Sequence, residues 1–428
     1  MSTTRGECKL VGGKLVGVTL TIANMQIESS RLDGDFFIST NDDDIVLIKA
    51  IEQCIDGLTL PLDTAVLVHT IAQVIGAHSE AQLVGANAQS IASAVLRAAR
   101  DNADDIDTHS SDSDVRIGTG TKPSAAQHFE HDIRTPCSAN PRDCQQFTTQ
   151  AESQLSSSGK FAPVLSSRWE SLNPLVIHDV PRSPAAQMAL DEILAEKVAD
   201  GTLPAMLRVW EWQSSAVIIG RFQSLHNEVN LEEAKREGIT VVRRVTGGGA
   251  MFVEPNNTIT YSLYAPLSFV EGMDVAQSYR LCDEWLVAAL RELGMNVGFS
   301  SMNDLASEQG KIGGAAQRRF AGKGGGPGAV LHHVTLAYDI DAGKMGRVLR
   351  VSKEKLSDKA VKSVAKRVDP MRSQTGMSRN AIIDHLLAFL VEHLSQAQEA
   401  TVPHAVANQA HELATQSFSK DAWLQCIV

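Results

Sequence analysis

Aromatic residues make up only 5% of this 428-residue chain, and its six cysteines are scattered singly. That scatter matches no disulfide framework, so a reducing compartment and a cytoplasmic location are expected. No run approaches the roughly 20 consecutive apolar residues of a membrane helix, which excludes a membrane span. Met1 to Lys9 carry charge without an apolar core, so no export signal is expected there. Positive charge is scarce overall: the formal net charge of −11 argues against nucleic acid as a partner of the whole chain.

What is present is ample apolar material, 43% of residues, in a chain long enough for two domains. The charge is unevenly spread. Residues 101–114 hold six aspartates and no Lys or Arg, whereas residues 311–372 hold fourteen Lys and Arg against five Asp and Glu. The basic stretch suggests a face for an acidic or phosphorylated partner; a merely solvated helix surface is the plainer reading.

Residues 1–100 read as a small α/β unit. Val16, Val18, Leu20 and Ile22 alternate as a strand after Gly12-Gly13, and Ile27 and Phe36-Phe37-Ile38 suggest further strands around the Asp33-Gly34-Asp35 turn. Asp42 to Asp44 open a helix carrying Ile45, Ile48, Ile51 and Ile55 up to Gly57. Asp63 caps a second helix through Val66, Ile71 and Val74, closed by Gly76, and a third spans about Ala88 to Ala99. Residues 101–165 are too poor in large apolar side chains to offset ordering entropy and read as a flexible acidic and polar linker. Within it, His128, His131, Cys137 and Cys144 fit no zinc module.

Order returns at Trp169. Helices are expected over Pro184 to Ala199, Leu231 to Glu237, the stripe Tyr279-Cys282-Leu286-Leu290-Leu293, Arg379 to Leu394 and Ala405 to Thr415. Strands are expected over Leu207 to Trp212, Ala216 to Ile219 and Thr258 to Tyr264. Cys282 sits on the apolar stripe and reads as core packing rather than as a nucleophile.

Two motifs carry chemistry. Arg243-Arg244-Val245-Thr246-Gly247-Gly248-Gly249-Ala250-Met251-Phe252 follows an apolar strand. Three glycines let a ligand approach bare backbone N–H groups, and two arginines supply permanent charge, so an anion cradle is the chemical reading. A glycine-rich hairpin beside two surface arginines is the plain one. The second motif, Gly310-Lys311-Ile312-Gly313-Gly314-Ala315-Ala316-Gln317, sets a lysine among small residues, where its ammonium can lie close to an anion. Gly322 to Gly328 lacks the Gly-Lys-Ser/Thr ending of a phosphate-binding P-loop and reads as a hinged loop able to close over a ligand.

Taken in order, these residues resemble the lipoate–protein ligases of the biotin/lipoyl ligase superfamily over roughly Trp169 to Leu394. The resemblance rests on Met188-Ala189-Leu190-Asp191-Glu192, Leu207-Arg208-Val209-Trp210, Gly220-Arg221-Phe222-Gln223, Arg243 to Phe252 and Asn303-Asp304-Leu305. It continues through Lys311 to Gln317, His332-His333, Ser363-Val364 and Arg367-Val368. Gly12-Gly13-Lys14-Leu15-Val16 and Gly34-Asp35-Phe36-Phe37 resemble the family's small accessory domain, here fused ahead of the catalytic domain.

The resemblance implies an α+β fold: a mixed, largely antiparallel-sheet catalytic domain over 166–400, similar to class II aminoacyl-tRNA synthetases. It also implies a small α/β accessory domain over 1–100, with 401–428 as a C-terminal helical tail. The implied reaction joins lipoate to ATP as lipoyl-AMP and passes the acyl group to a lysine of a lipoyl domain. Acceptors would be the E2 subunits of 2-oxoacid dehydrogenases or the glycine cleavage H protein, and lipoate or octanoate the acid. By family position Lys311 is the expected catalytic residue. Arg243, Arg244, Thr246, Gly247, Gly248, Gly249, Ala250, Asn303, Asp304, Gly314 and Ala316 are expected to bind substrate and adenylate, with Asp304 a contact for Mg²⁺. His332 and His333 either pack their strand or line the site.

The chain departs from the family pattern in several places. Val253-Glu254 and Asn256-Asn257 stand where a His-Asp pair and a Gly-Asn are usual, Gly313 where a serine is, and Val334 where a glycine is. These departures leave a non-catalytic lipoate- or lipoyl-domain-binding relative as one rival. Another is an octanoyl- or lipoyl-transferase, whose acyl-thioester chemistry needs a thiolate beside the acyl site. Gly298 to Met302 contain no cysteine to supply it. A biotin ligase fits less well than either rival.

Overall fold

A computed structural model describes residues 1–39, 44–108, 165–350 and 370–427; for 101–108 it describes the helical backbone alone. Residues 109–164, which include His128, His131, Cys137 and Cys144, lie outside the described residues, as do residues 351–369 of the basic 311–372 stretch, with Ser363-Val364 and Arg367-Val368. Met1–Asp107 and Leu165–Val428 belong to one compact unit.

The N-terminal part is built on an antiparallel sheet of β1 (Ser2–Cys8), β2 (Val16–Ala23) and β3 (Gln26–Gly34). Its remaining elements are β4 (Phe37–Ser39), α1 (Ile45–Ile55), α2 (Thr64–Ala77), β5 (Gln82–Val84) and α3 (Ala88–Thr108), with β4 paired to β5. Ile48, Ile51 and Ile55 of α1 are buried, and Asp63 accepts a hydrogen bond from Val66 N, so the helical period and the cap both act as the sequence suggests. Strand β1 has no apolar period to announce it. It is fixed by pairing with β2, by an Arg5–Asp33 ion pair and by α3, which approaches so closely that a Cβ on Gly6 would meet Ala94 O at 2.0 Å. Helix α3 also runs past the expected end at Ala99, into the stretch read as linker.

The larger part contains β6 (Leu175–Arg182), β7 (Met206–Trp212), β8 (Ala216–Ile219), β9 (Thr240–Arg243), β10 (Met251–Val253), β11 (Thr258–Pro266), β12 (Val297–Phe299), β13 (Asp304–Ser307), β14 (Gly310–Phe320), β15 (Ala329–Ala337) and β16 (Gln398–Glu399). Eight of them form a sheet in the order β12-β13-β14-β15-β11-β7-β6-β16. It is antiparallel except where β6 runs parallel to β7 and to β16. Strands β10-β8-β9 form a second small sheet. Trp169, the helix Val275–Glu292 and the helix Arg379–His393 fill one face of the main sheet. The helix Pro184–Ala199 covers the other, started by Ser183, whose hydroxyl accepts from Ala186 N, and by Pro184 in its first turn. Because both faces are covered, β11 is buried along nearly its whole length rather than half-buried as its alternation suggests.

Residues 401–428 are not a tail. Val406, Ala410, Ala414 and Phe418 pack into the same core as the helix Pro184–Ala199. Among the described residues no helix is long and apolar enough to cross a membrane.

Candidate functional site

A cavity of about 560 Å³ opens between the edge of the main sheet, the turn joining β9 to β10, and the N-terminal part. Arg244, Gly248, Gly249 and Ala250 reach it from the turn; Asn303, Asp304, Lys311, Gly314 and Ala316 reach it from β13, its approach and β14; His333 reaches it from β15. Lys9, Gly12, Gly13, Lys14 and Asp35 close it from the N-terminal part.

Lys311 Nζ lies 2.7 Å from Asp304 Oδ1. The two residues stand on neighbouring strands β13 and β14, and small residues keep the space around them clear. A Cβ added to Gly314 would lie 3.2 Å from Lys311 Nζ and 3.5 Å from Asp304 Oδ1. One position along, Asn303 donates from Nδ2 to Ala315 O at 2.8 Å, which turns its Oδ1 toward Lys14 Nζ, 2.6 Å away. Two ammonium groups therefore converge on the consecutive residues Asn303 and Asp304.

The glycine turn is held from inside by its own arginine. Arg244 donates to Gly247 O at 2.6 Å, Gly249 O at 2.9 Å, Ile218 O at 3.2 Å and Thr246 Oγ1 at 3.0 Å. Burial pulls its pKa down to about 10. Its charge lines the cavity while most of its donors shape the turn.

Thr246 and Gly247 lie behind the cavity wall. Thr246 Oγ1 is 2.7 Å from His333 Nε2, and His333 Nδ1 is 2.7 Å from Asp191 Oδ2. The carboxylate accepts from Nδ1–H and the hydroxyl donates to Nε2, so this partner set assigns a neutral Nδ1–H imidazole. Burial, the largest influence, lowers the His333 pKa, with Asp191 opposing it. Asp191 Oδ1 in turn accepts from Ser262 Oγ at 2.6 Å and Tyr264 OH at 2.5 Å.

Besides Thr246 and Gly247, two further expected binding residues do not line the cavity. Arg243 is fully buried and donates to the carbonyls of Gly220, Arg221, Gln223, Trp423 and Leu424. It clamps the last residues of the C-terminal segment, and burial draws its pKa down to about 10. His332 faces the opposite side of β15 from His333, as alternation along a strand requires. Its Nε2 lies 2.6 Å from Asp283 Oδ1 and its Nδ1 2.9 Å from Gln317 Nε2, so it belongs to the packed strand.

The glycines also divide differently from the ligand-cradle reading. A Cβ on Gly247 would meet Phe36 O at 2.5 Å, and one on Gly248, at φ +92°, would meet the Phe37 ring at 3.1 Å. Gly248 N donates to Phe36 O at 3.3 Å. Gly247 and Gly248 thus admit the N-terminal part, while at Gly249 a Cβ would find Asp35 no closer than 3.7 Å. The loop Gly322 to Gly328 is not a lid over this cavity. It packs on the end of the helix Pro184–Ala199, where Gly328 N donates to Ala199 O at 2.9 Å and a Cβ on Gly326 would meet that same oxygen at 2.4 Å.

Cys282 is fully buried, with Gln317 Nε2 3.4 Å from its sulfur, and burial pushes its thiol pKa well above the ordinary value. Among the described residues that line the cavity there is no cysteine. Nor do the described residues contain a group of three His, Cys, Asp or Glu side chains able to hold a metal.

The family model for the lipoyl protein ligase A/B catalytic domain matches residues 183–394. An octanoyltransferase LipM from Lysinibacillus sphaericus is 30% identical over 201 residues, covering 41% of this chain and 70% of that protein. This chain belongs to the lipoyl protein ligase A/B family. Lipoate-protein ligase A subunit 1 of Thermoplasma acidophilum is 28% identical over 254 residues, covering 58% of this chain and 95% of that protein. A lipoate-protein ligase A bound with ATP shares the fold, with a TM-score of 0.50 and 23% identity across 60% of this chain and 100% of that one.

Against this lipoate ligase and octanoyltransferase family, the departures in sequence have local structural accounts. Val253 is buried in the core beneath the helix Pro184–Ala199. Glu254 accepts from Lys344 Nζ at 2.6 Å and from Asn257 Nδ2 at 2.9 Å. Asn256 has φ +66°, a left-handed conformation that Asn tolerates better than other non-glycine residues. A side chain at Gly313 would meet Leu336 Cδ2 at 2.6 Å, and Val334 is buried in the main core. The residues not foreseen as site members are Lys9, Lys14, Asp35 and the supporting Asp191. The Gly12-Gly13-Lys14 and Gly34-Asp35 similarity to an accessory domain signalled Lys14 and Asp35, and the Met188 to Glu192 motif signalled Asp191, each without a role; nothing signalled Lys9.

Proposed function

We propose that this chain is an ATP-dependent lipoate–protein ligase. The observation that supports this reading most is the cavity's charge set: Lys311, Lys14 and Arg244 around Asn303 and Asp304, with no lining cysteine among the described residues. In the reaction, a lipoate carboxylate oxygen bonds to the α-phosphorus of ATP as the bond to pyrophosphate breaks. A lysine amine of a lipoyl domain then attacks the acyl carbonyl, loses a proton and displaces AMP. Both steps gather negative charge on phosphate or acyl oxygen, which preorganised cations stabilise.

Lys311 would neutralise charge at the acyl carbonyl and α-phosphate, with Asp304 holding its ammonium in place. Gly249 and Ala250 would border the acyl chain and adenylate. Asp304 and Asp35 are the cavity carboxylates, hard oxygen donors that fit Mg²⁺ sharing its shell with phosphates and water; the ion would offset phosphate charge. Acceptors would be lipoyl domains of 2-oxoacid dehydrogenases or of glycine cleavage, in a cytoplasmic setting.

Similarity to the octanoyltransferase favours a second reading, acyl transfer through a cysteine. The buried, protonated Cys282 counts against it. The deciding measurement is lipoate-dependent exchange of labelled pyrophosphate into ATP, expected in the wild type and falling at least about a hundredfold in Lys311→Ala. Absence of exchange with lipoate binding retained would favour a binding protein. ATP-independent acyl transfer from an acyl carrier protein, lost in Cys282→Ser, would establish the transferase instead.

A further inference from the structure

We propose that Lys14, carried by the N-terminal part, is an anion-binding residue of the cavity that holds the pyrophosphate end of a nucleoside triphosphate. The identity of the anion rests on the ligase reading; the site rests on geometry.

The backbone at Lys14 is pinned on both sides. Gly13 N donates to Leu10 O at 2.9 Å and Lys14 N to Gly85 O at 2.7 Å, after Gly12 at φ +74°. The side chain crosses to the sheet edge, passes 5.7 Å from the centre of the Phe37 ring and ends at Asn303 Oδ1. Asn303 is neutral and already oriented by Ala315 O, so it accepts a bond without offsetting the charge it meets.

An ammonium has three donors, and half-burying it against a neutral amide leaves part of its desolvation cost uncompensated. Burial is accordingly the largest influence on the Lys14 pKa and lowers it, with Asp304 opposing and Lys311 adding to it. Two lysines thus face one short stretch of chain, Lys14 Nζ at Asn303 Oδ1 and Lys311 Nζ at Asp304 Oδ1. A multiply charged anion between them satisfies both at once, whereas a single carboxylate does not. Gly12 and Gly13 on one wall and Gly313 and Gly314 on the other leave backbone within reach of such an anion.

Titration calorimetry of the full chain with inorganic pyrophosphate, and separately with AMP, tests this. Wild type should bind pyrophosphate, Lys14→Gln should bind it about tenfold or more weakly, and Lys14→Arg should stay within about threefold of wild type. AMP affinity should be nearly equal in all three proteins. Gln ends one bond short of the lysine ammonium and gives up the tie to Asn303, so a purely structural role is read separately, from Tm and from AMP affinity. Unchanged pyrophosphate affinity in that variant overturns the proposal, as does a wild type that does not bind pyrophosphate. Equal loss for both ligands together with a lowered Tm also overturns it, assigning Lys14 to holding the N-terminal part. Wild type without lipoate-dependent exchange, but with pyrophosphate binding that falls in Lys14→Gln, removes the ligase reading and keeps the site.

Discussion

Thr246 Oγ1 and His333 Nε2 lie 2.7 Å apart, joining the glycine turn to a strand of the main sheet. The contact continues through His333 Nδ1 to Asp191 and back through Thr246 to Arg244, so the turn, β15 and the helix Pro184–Ala199 share one buried polar chain. Thr246→Val keeps the shape and removes the hydroxyl, stranding His333 Nε2 and Arg244 Nε. We expect a loss of about 1–3 kcal/mol in urea unfolding, with Thr246→Ser close to wild type.

The same imidazole sets a pH dependence. Its folded pKa lies below the ordinary 6.5, so as pH falls the unfolded chain takes up this proton first. Its contribution to stability is therefore fully present above the unfolded value and is lost as pH drops from there through the folded one. The slope approaches about 1.4 kcal/mol per pH unit at most. Unfolding curves of wild type and His333→Gln between pH 7.5 and about 5 should converge as pH falls. Parallel curves would remove His333 as the source.

Arg243 joins the first strand of the turn to the C-terminal segment. Arg243→Leu strands the five carbonyls it serves and should cost about 3–5 kcal/mol. Hydrogen exchange should show the earliest loss of protection at residues 421–426, before the main sheet responds. Uniform loss across the chain would mean that Arg243 is general core rather than a local clamp.

Gly247→Ala tests the fit between the turn and Phe36. With a Cβ only 2.5 Å from Phe36 O, the N-terminal part must shift, at a cost of about 1–3 kcal/mol. Protease susceptibility of residues 1–100 should rise, and lipoate-dependent exchange should fall with it. Intact exchange would mean that this part contributes nothing to activation.

Much of this was legible in the chain because local rules and tertiary structure agree. The helix Pro184–Ala199, strand β8 and the Asp63 cap lie where period and capping chemistry put them. The α+β ligase fold also followed from ordered motifs. Legibility failed where a residue's role depends on a distant partner. Arg243 and Arg244 are adjacent and chemically identical, yet one binds the C-terminal segment and the other braces a turn. His332 and His333 differ only by the side of the strand they face. Three glycines that suggest a ligand equally suit the close approach of another part of the protein, and only the position of Phe36 separates these uses. Strand β1 has no apolar alternation, so nothing short-range could mark it.

The bond between Lys14 and Asn303 spans 289 positions of one polypeptide. Covalent connection makes that meeting intramolecular, so the local concentration of the N-terminal part at the cavity is set by tethering and does not depend on how much protein is in solution. Specific activity should then hold constant on serial dilution, where two separate chains sharing the same cavity would come apart.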